Sequence, residues 1–90
     1  MKSSTTKEFW DCFDALPADV QEQARKSYRL WIDDPKHPSL HFKKIHATMP
    51  VFSARVGRRY RAVGVMTGTD EILWYWIGTH AEYDRIVKSA

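Results

Sequence analysis

Ninety residues carrying a net charge of +3 suit a single domain spanning residues 1–90, with four Trp, four Tyr and four Phe available to build its core. No apolar run approaches the roughly 20 residues needed to span a bilayer, which excludes a transmembrane reading. One cysteine, Cys12, excludes an internal disulfide; with no charged-apolar-small leader pattern at the start, the expected location is the reducing cytoplasm.

Taken along the chain, Thr5 to Leu16 reads as a first helix. Thr5 followed by Glu8 fits a capping box, and Phe9, Phe13 and Leu16 recur at helical spacing with Trp10 and Cys12 near the same stripe. Packing suits Cys12 better than nucleophilic chemistry, since nothing marks an electropositive pocket around it. Pro17 suits the first turn of a second helix, in which Val20, Ala24, Tyr28 and Leu30 or Trp31 continue the pattern to about Ile32. The short link predicts an αα-hairpin. Asp33, Asp34, Pro35 and Pro38 stop helical structure, and a loop runs to about Ser39.

From Leu40 the pattern changes to short β-branched and aromatic segments. Strands are expected near His41–His46, Val51–Val56, Tyr60–Met66 and Ile72–Ile77, joined as hairpins, and Thr79 to Lys88 fits a final helix capped by Thr79 with Glu82. The fold class is therefore α+β: a helical hairpin on an antiparallel sheet of three to four strands, with a short C-terminal helix.

The charge is localised. No acidic residue stands between Asp34 and Asp70, a stretch holding Lys36, Lys43, Lys44, Arg55, Arg58, Arg59 and Arg61 with His37, His41 and His46. Such a field suits a polyanion, and a solvated basic surface without a ligand is the competing reading. If Gly57, Arg58 and Arg59 form a three-residue loop, Val56 pairs with Tyr60 and Arg55 lies opposite Arg61, while Phe52, Ala54, Val56, Tyr60, Ala62 and Met66 share the other face. A two-residue loop would separate the arginines. Facing like charges repel, and a phosphate between two guanidinium forks would offset this; a salt bridge from Arg61 to Glu71 or Asp70 is the alternative.

His80 follows a strand end and a glycine, and its imidazole can take or give a proton near neutrality. Tyr83 lies one helical turn on. A lone histidine is more often a surface residue than a catalyst. His37 and His41 are separated by Pro38 and lack further ligands, so no metal is expected; no phosphate loop or nucleotide fingerprint is present, so no cofactor is expected either.

Five phrases occur in order: Leu16-Pro17 with Val20-Gln21; Asp34-Pro35 with Pro38-Ser39-Leu40; Phe52-Ser53-Ala54-Arg55-Val56-Gly57; Tyr60-Arg61-Ala62; and Trp76-Ile77-Gly78-Thr79-His80-Ala81-Glu82-Tyr83-Asp84. Together they resemble the RelE/ParE superfamily of bacterial toxins over residues 8 to 87. The resemblance implies a helical hairpin on a small curved antiparallel sheet, a cognate antitoxin that wraps and neutralises the toxin, and one of two activities. RelE-like members, including HigB and YafQ types, cut messenger RNA in the ribosomal A site; ParE-like members poison DNA gyrase.

The Gly78-Thr79-His80 phrase looks like the RelE/HigB/YafQ-like side. By resemblance, Arg61 matches the phosphate-stabilising arginine, Arg55 a basic residue of the preceding strand, His80 the C-terminal acid or base, and Tyr83 an aromatic that holds the reacting nucleotide. The implied activity is metal-independent RNA cleavage by a ribose 2′-hydroxyl, inhibiting translation. Lys43, Lys44, His46, Arg58 and Arg59 would bind RNA, and Trp74 or Trp76 would offer a stacking surface or pack in the core. The sequence departs from the family at Met1 to Ser4, too short and polar for a full first strand, and at Ser53, which stands where RelE has another basic catalytic residue. No glutamate matches the general base of some relatives. An inactive antitoxin-binding module is a further alternative.

Overall fold

The computed structural model describes residues 1–89. In chain order these form β1 (Lys2–Thr5), α1 (Lys7–Asp14), α2 (Ala18–Asp33), a 3₁₀ turn (Pro38–Leu40), β2 (Lys43–Lys44), β3 (Val51–Val56), β4 (Tyr60–Gly68), β5 (Glu71–Thr79) and α3 (His80–Ser89). The sheet order is β1-β5-β4-β3-β2, antiparallel except for β1, which lies parallel to β5. The expected α+β class and helical hairpin are present, with a fifth strand added at the edge.

Both ends of the sheet differ from expectation for local reasons. Lys2–Thr5 does form a strand, Lys2 pairing with Glu71 and Thr5 with Trp74. Its polarity suits an edge, where side chains are solvated and apolar alternation is not required. With Thr5 in that strand, its Oγ1 accepts from Trp10 Nε1 at 2.8 Å, and Thr6 caps α1 instead by accepting from the Phe9 amide at 3.1 Å. The expected strand His41–His46 shrinks to two residues. His41 is held in the left-handed region (φ 44°), and Nδ1 of His46 accepts from the amides of Thr48 and Met49, so both ends curl out of the ladder.

The hairpin is closed by Gln21, whose Nε2 donates to the carbonyls of Phe13 and Leu16 and so ties α2 to the end of α1 and the link that follows it. The hairpin packs on one face of the sheet. Phe13, Ala24 and Trp31 meet Leu40, Ala54, Val56, Ala62, Ile72, Trp74 and Ile77, with Phe52, Tyr60 and Met66 at the margin. The expected apolar face of β3 and β4 is thus the core face. Trp31 is 1% exposed and crosses Trp74 edge to face at 5.4 Å. Its burial removes on the order of 200 Å² from water, worth up to about 5 kcal/mol. Both indole N–H groups lack a described acceptor, which subtracts from that gain. Trp10, placed by its spacing beside the apolar stripe, is largely exposed.

A bulge in β5 decides which face each aromatic occupies. Val63 pairs with Trp76 but Gly64 pairs with Trp74, leaving Tyr75 as the extra residue. Ile72, Trp74 and Ile77 thereby all reach the core, whereas Trp76 and Gly78 fall on the opposite face beside Val63 and Arg61. Gly64 leaves room for this packing: a Cβ there would sit 2.9 Å from Trp74 Cε3 and 3.0 Å from Ile72 Cγ1. Gly64→Val is expected to destabilise the protein by about 1–3 kcal/mol through overpacking, measured by urea denaturation. A midpoint unchanged within error would show that this contact is not close-packed.

Candidate anion-binding site

The face of the sheet away from the hairpin carries the charged residues. The β3–β4 turn uses three residues, Gly57 to Arg59, with Val56 opposite Tyr60 and Arg55 directly opposite Arg61. Gly57 takes φ 60°, a backbone state that glycine adopts without steric cost. The two guanidinium groups therefore project to the same face, alongside Ser53 two residues earlier on β3 and beneath α3.

Arg61 is the centre of this arrangement. It is 5% exposed, yet among the described residues it forms no ion pair with a carboxylate. The alternative salt bridges are absent because the register puts Arg61 opposite Gly78, at the far end of the hairpin from the β4–β5 turn. Asp70 instead meets the amino terminus at 3.8 Å, and Glu71 accepts from Thr67 Oγ1. Neutral groups hold the guanidinium. Nε and Nη2 donate to Ser53 Oγ at 3.2 and 2.9 Å, Nη2 donates to the His41 carbonyl at 3.0 Å, and the group lies 5.1 Å from the centre of the Tyr83 ring. Burial lowers the proton affinity of Arg61 and the charge of Arg55 lowers it further, while Tyr83 and Asp84 oppose that shift.

The C-terminal phrase completes the site. Thr79 Oγ1 accepts from the Glu82 amide while Glu82 Oε1 accepts from the Thr79 amide and hydroxyl, the expected capping box. These bonds hold the Glu82 carboxyl below its usual range. The His80 amide donates to the Arg59 carbonyl at 2.7 Å, tying the start of α3 to the β3–β4 turn. His80 is exposed; its Nδ1 lies 3.2 Å from Asp84 Oδ2, and its ring stands edge-on to Tyr83 at 5.5 Å. Arg61, Tyr83 and His80 thus make a continuous series of contacts.

Tyr83 is buried rather than presented to a nucleotide, with its hydroxyl 3.2 Å from Ser53 Oγ. Arg55 is half-buried, its Nε donating to the Gly57 carbonyl at 2.8 Å. Arg58 and Arg59 are exposed in the turn next to His80. Lys43 pairs with Ser53 and shares the Arg61 face; Lys44 pairs with Phe52 and falls on the other. His46 sits at the far end of β3 from Arg55 and commits Nδ1 to its own turn. Of the two tryptophans, Trp74 is in the core and Trp76 is half-buried on the charged face, its indole lying over Gly78.

Three participants were not among the sequence candidates. Ser53 was marked only as a departure, although strand alternation already places it with Arg55. Asp84 follows His80 at i, i+4, the spacing of facing helical residues. The His41 carbonyl has no sequence signal. A cleft of about 490 Å³ lies on the opposite face, under Phe9, Trp10, Tyr28 and Trp31 and remote from this chemistry. Among the described residues no group of three or more His, Cys, Asp or Glu is placed to hold a metal ion, and no helix is long and apolar enough to cross a membrane.

The family model for the ParE-like toxin domain matches residues 18–85. The chain belongs to this toxin family. Solved structures of the same fold include the YoeB/ParE toxin from Agrobacterium tumefaciens (TM-score 0.69, 19% identity, 89% of this chain and 99% of that one). The RelB–RelE antitoxin–toxin complex from Methanococcus jannaschii matches at TM-score 0.69 and 18% identity, over 90% and 95% of the two chains. YafQ from E. coli strain BL21(DE3) matches at 0.71 and 11%, over 91% and 96%. No curated protein matches significantly.

The capping box makes a pH prediction for this toxin-family chain. Because the folded-state pKa of Glu82 is depressed, its stabilisation is full above the unfolded value and is lost as pH falls through the folded one. Wild type should therefore exceed Glu82→Gln in urea midpoint at about pH 6, with the gap shrinking towards about pH 3. A gap independent of pH would contradict an ionised cap.

Proposed function

We propose that this chain acts as a single-domain type II toxin, a ribosome-dependent mRNA endonuclease in the cytoplasm, neutralised by a cognate antitoxin. The observation that carries this reading is Arg61: a buried cation with no carboxylate partner among the described residues, directly opposite a second arginine. Desolvating a charge costs several kcal/mol, and pairing two like charges across a strand adds to that, so a site built this way suits an anion. An RNA phosphodiester bound against Arg55 and the Nη1 edge of Arg61 meets that need. Arg58, Arg59 and Lys43 add sequence-independent phosphate contacts around it, with Lys44 and His46 outside the site.

In the proposed reaction the 2′-hydroxyl oxygen attacks the adjacent phosphorus in line, its proton passing to solvent, while the bond to the 5′-oxygen breaks. The products are a 2′,3′-cyclic phosphate and a 5′-hydroxyl. Arg55 and Arg61 stabilise the charge growing on the phosphoryl oxygens. His80, oriented through Nδ1 by Asp84, presents Nε2 to protonate the departing oxygen, a role worth roughly 10²–10⁴-fold. Tyr83 supports Arg61 from below instead of stacking on the nucleotide. No metal or cofactor is assigned a role.

The ParE-like description of the matching family favours a second reading, inhibition of DNA gyrase without nuclease activity. Inducible expression with mapping of messenger RNA ends separates the two. Wild type should arrest growth and create new ends, Arg61→Ala should abolish them, and His80→Ala should reduce them at least about 100-fold. Full toxicity of His80→Ala without RNA cleavage would support gyrase inhibition, and no growth defect from wild type would support an inactive antitoxin-binding module.

A further inference from the structure

Three bonds to neutral acceptors fix the guanidinium plane of Arg61, and two of them end on one atom. Ser53 Oγ has two lone pairs and one proton. Accepting from both Nε and Nη2 occupies the lone pairs, so the hydroxyl proton is the one shared with Tyr83, and Ser53 donates to the Tyr83 oxygen. The serine is 0% exposed, so no water competes for these positions. The third bond goes from Nη2 to the carbonyl of His41, presented by a left-handed backbone that non-glycine residues seldom adopt and that lies at the end of the 3₁₀ turn. Neither acceptor engages Nη1.

We propose that Ser53 and the left-handed turn at His41 are positioning elements, which lock the guanidinium of Arg61 and leave its Nη1 edge for the substrate phosphate. The phosphate clause rests on the nuclease reading; the locking does not. A serine at this position contributes no charge to the site, and the chain gains instead a fixed orientation for the arginine it retains. Arg55 is treated the same way, its Nε held by the Gly57 carbonyl.

Proton–nitrogen NMR of the arginine Nε–H groups in the whole protein tests this. In wild type the Arg61 Nε–H should be resolved and slow to exchange with water, and titrated inorganic phosphate should shift it. Ser53→Ala should accelerate exchange and weaken phosphate binding about ten-fold or more, whereas Ser53→Thr, which keeps the hydroxyl, should restore both. His41→Val should resemble Ser53→Ala, and His41→Gly should resemble wild type. A wild-type Arg61 Nε–H in fast exchange, or a folded Ser53→Ala with the same exchange and phosphate affinity as wild type, would overturn the positioning role. A slow Nε–H that phosphate fails to shift would uphold the lock while overturning the anion-binding reading.

Discussion

A guanidinium keeps its proton at any accessible pH, so burying Arg61 with no carboxylate partner among the described residues obliges the protein to hold a full positive charge with dipoles and one aromatic face. Three charge-assisted hydrogen bonds at about 1.5–3 kcal/mol each, and a cation–π contact of about 1–2, are of the same order as the several kcal/mol lost on desolvation. Little surplus remains. Any element that supplies one of these contacts is therefore coupled to the state of the arginine, and those elements come from three separate parts of the chain: β3, the 3₁₀ turn and α3.

That dependence explains features that otherwise look unrelated. The bulge at Tyr75 brings Ile72, Trp74 and Ile77 to the hairpin, and so lets the opposite face of the same strand receive α3. The three-residue turn fixes Arg55 opposite Arg61 and offers its Arg59 carbonyl to the first amide of α3. The 3₁₀ turn gives up strand structure at His41 to aim one carbonyl. The hairpin's burial of Trp31 and Phe13 supplies the stability against which a destabilising charge can be maintained.

Much of this was legible in the residues. Helical spacing in the first third, alternation in β3 and β4, and the Thr79–Glu82 pair identified the hairpin, the core face and the cap. The arginine pair followed once the turn was assigned three residues. What escaped were features with no periodic signature. A four-residue polar strand carries no apolar alternation, a bulge breaks the alternation from which faces are read, and a backbone carbonyl at His41 is the same atom in every residue. Ser53 was visible as a departure from its relatives, but its use requires knowing that Arg61 is buried. Tyr83 was singled out by resemblance for a nucleotide, and what the sequence did not show is that its ring is buried against Arg61.

The geometry also separates residues that charge alone had grouped. Seven lysines and arginines lie between Asp34 and Asp70, but strand alternation divides Lys43 from Lys44, and His46 commits Nδ1 to its own turn. The most direct measurement is a crystal structure with a short RNA whose reactive 2′-hydroxyl is methylated. A phosphate oxygen is expected within about 3 Å of Arg61 Nη1 and of an Arg55 Nη atom, with His80 facing the 5′-oxygen. RNA bound elsewhere, with Arg61 sealed beneath the surface and touching only Ser53, His41 and Tyr83, would contradict it.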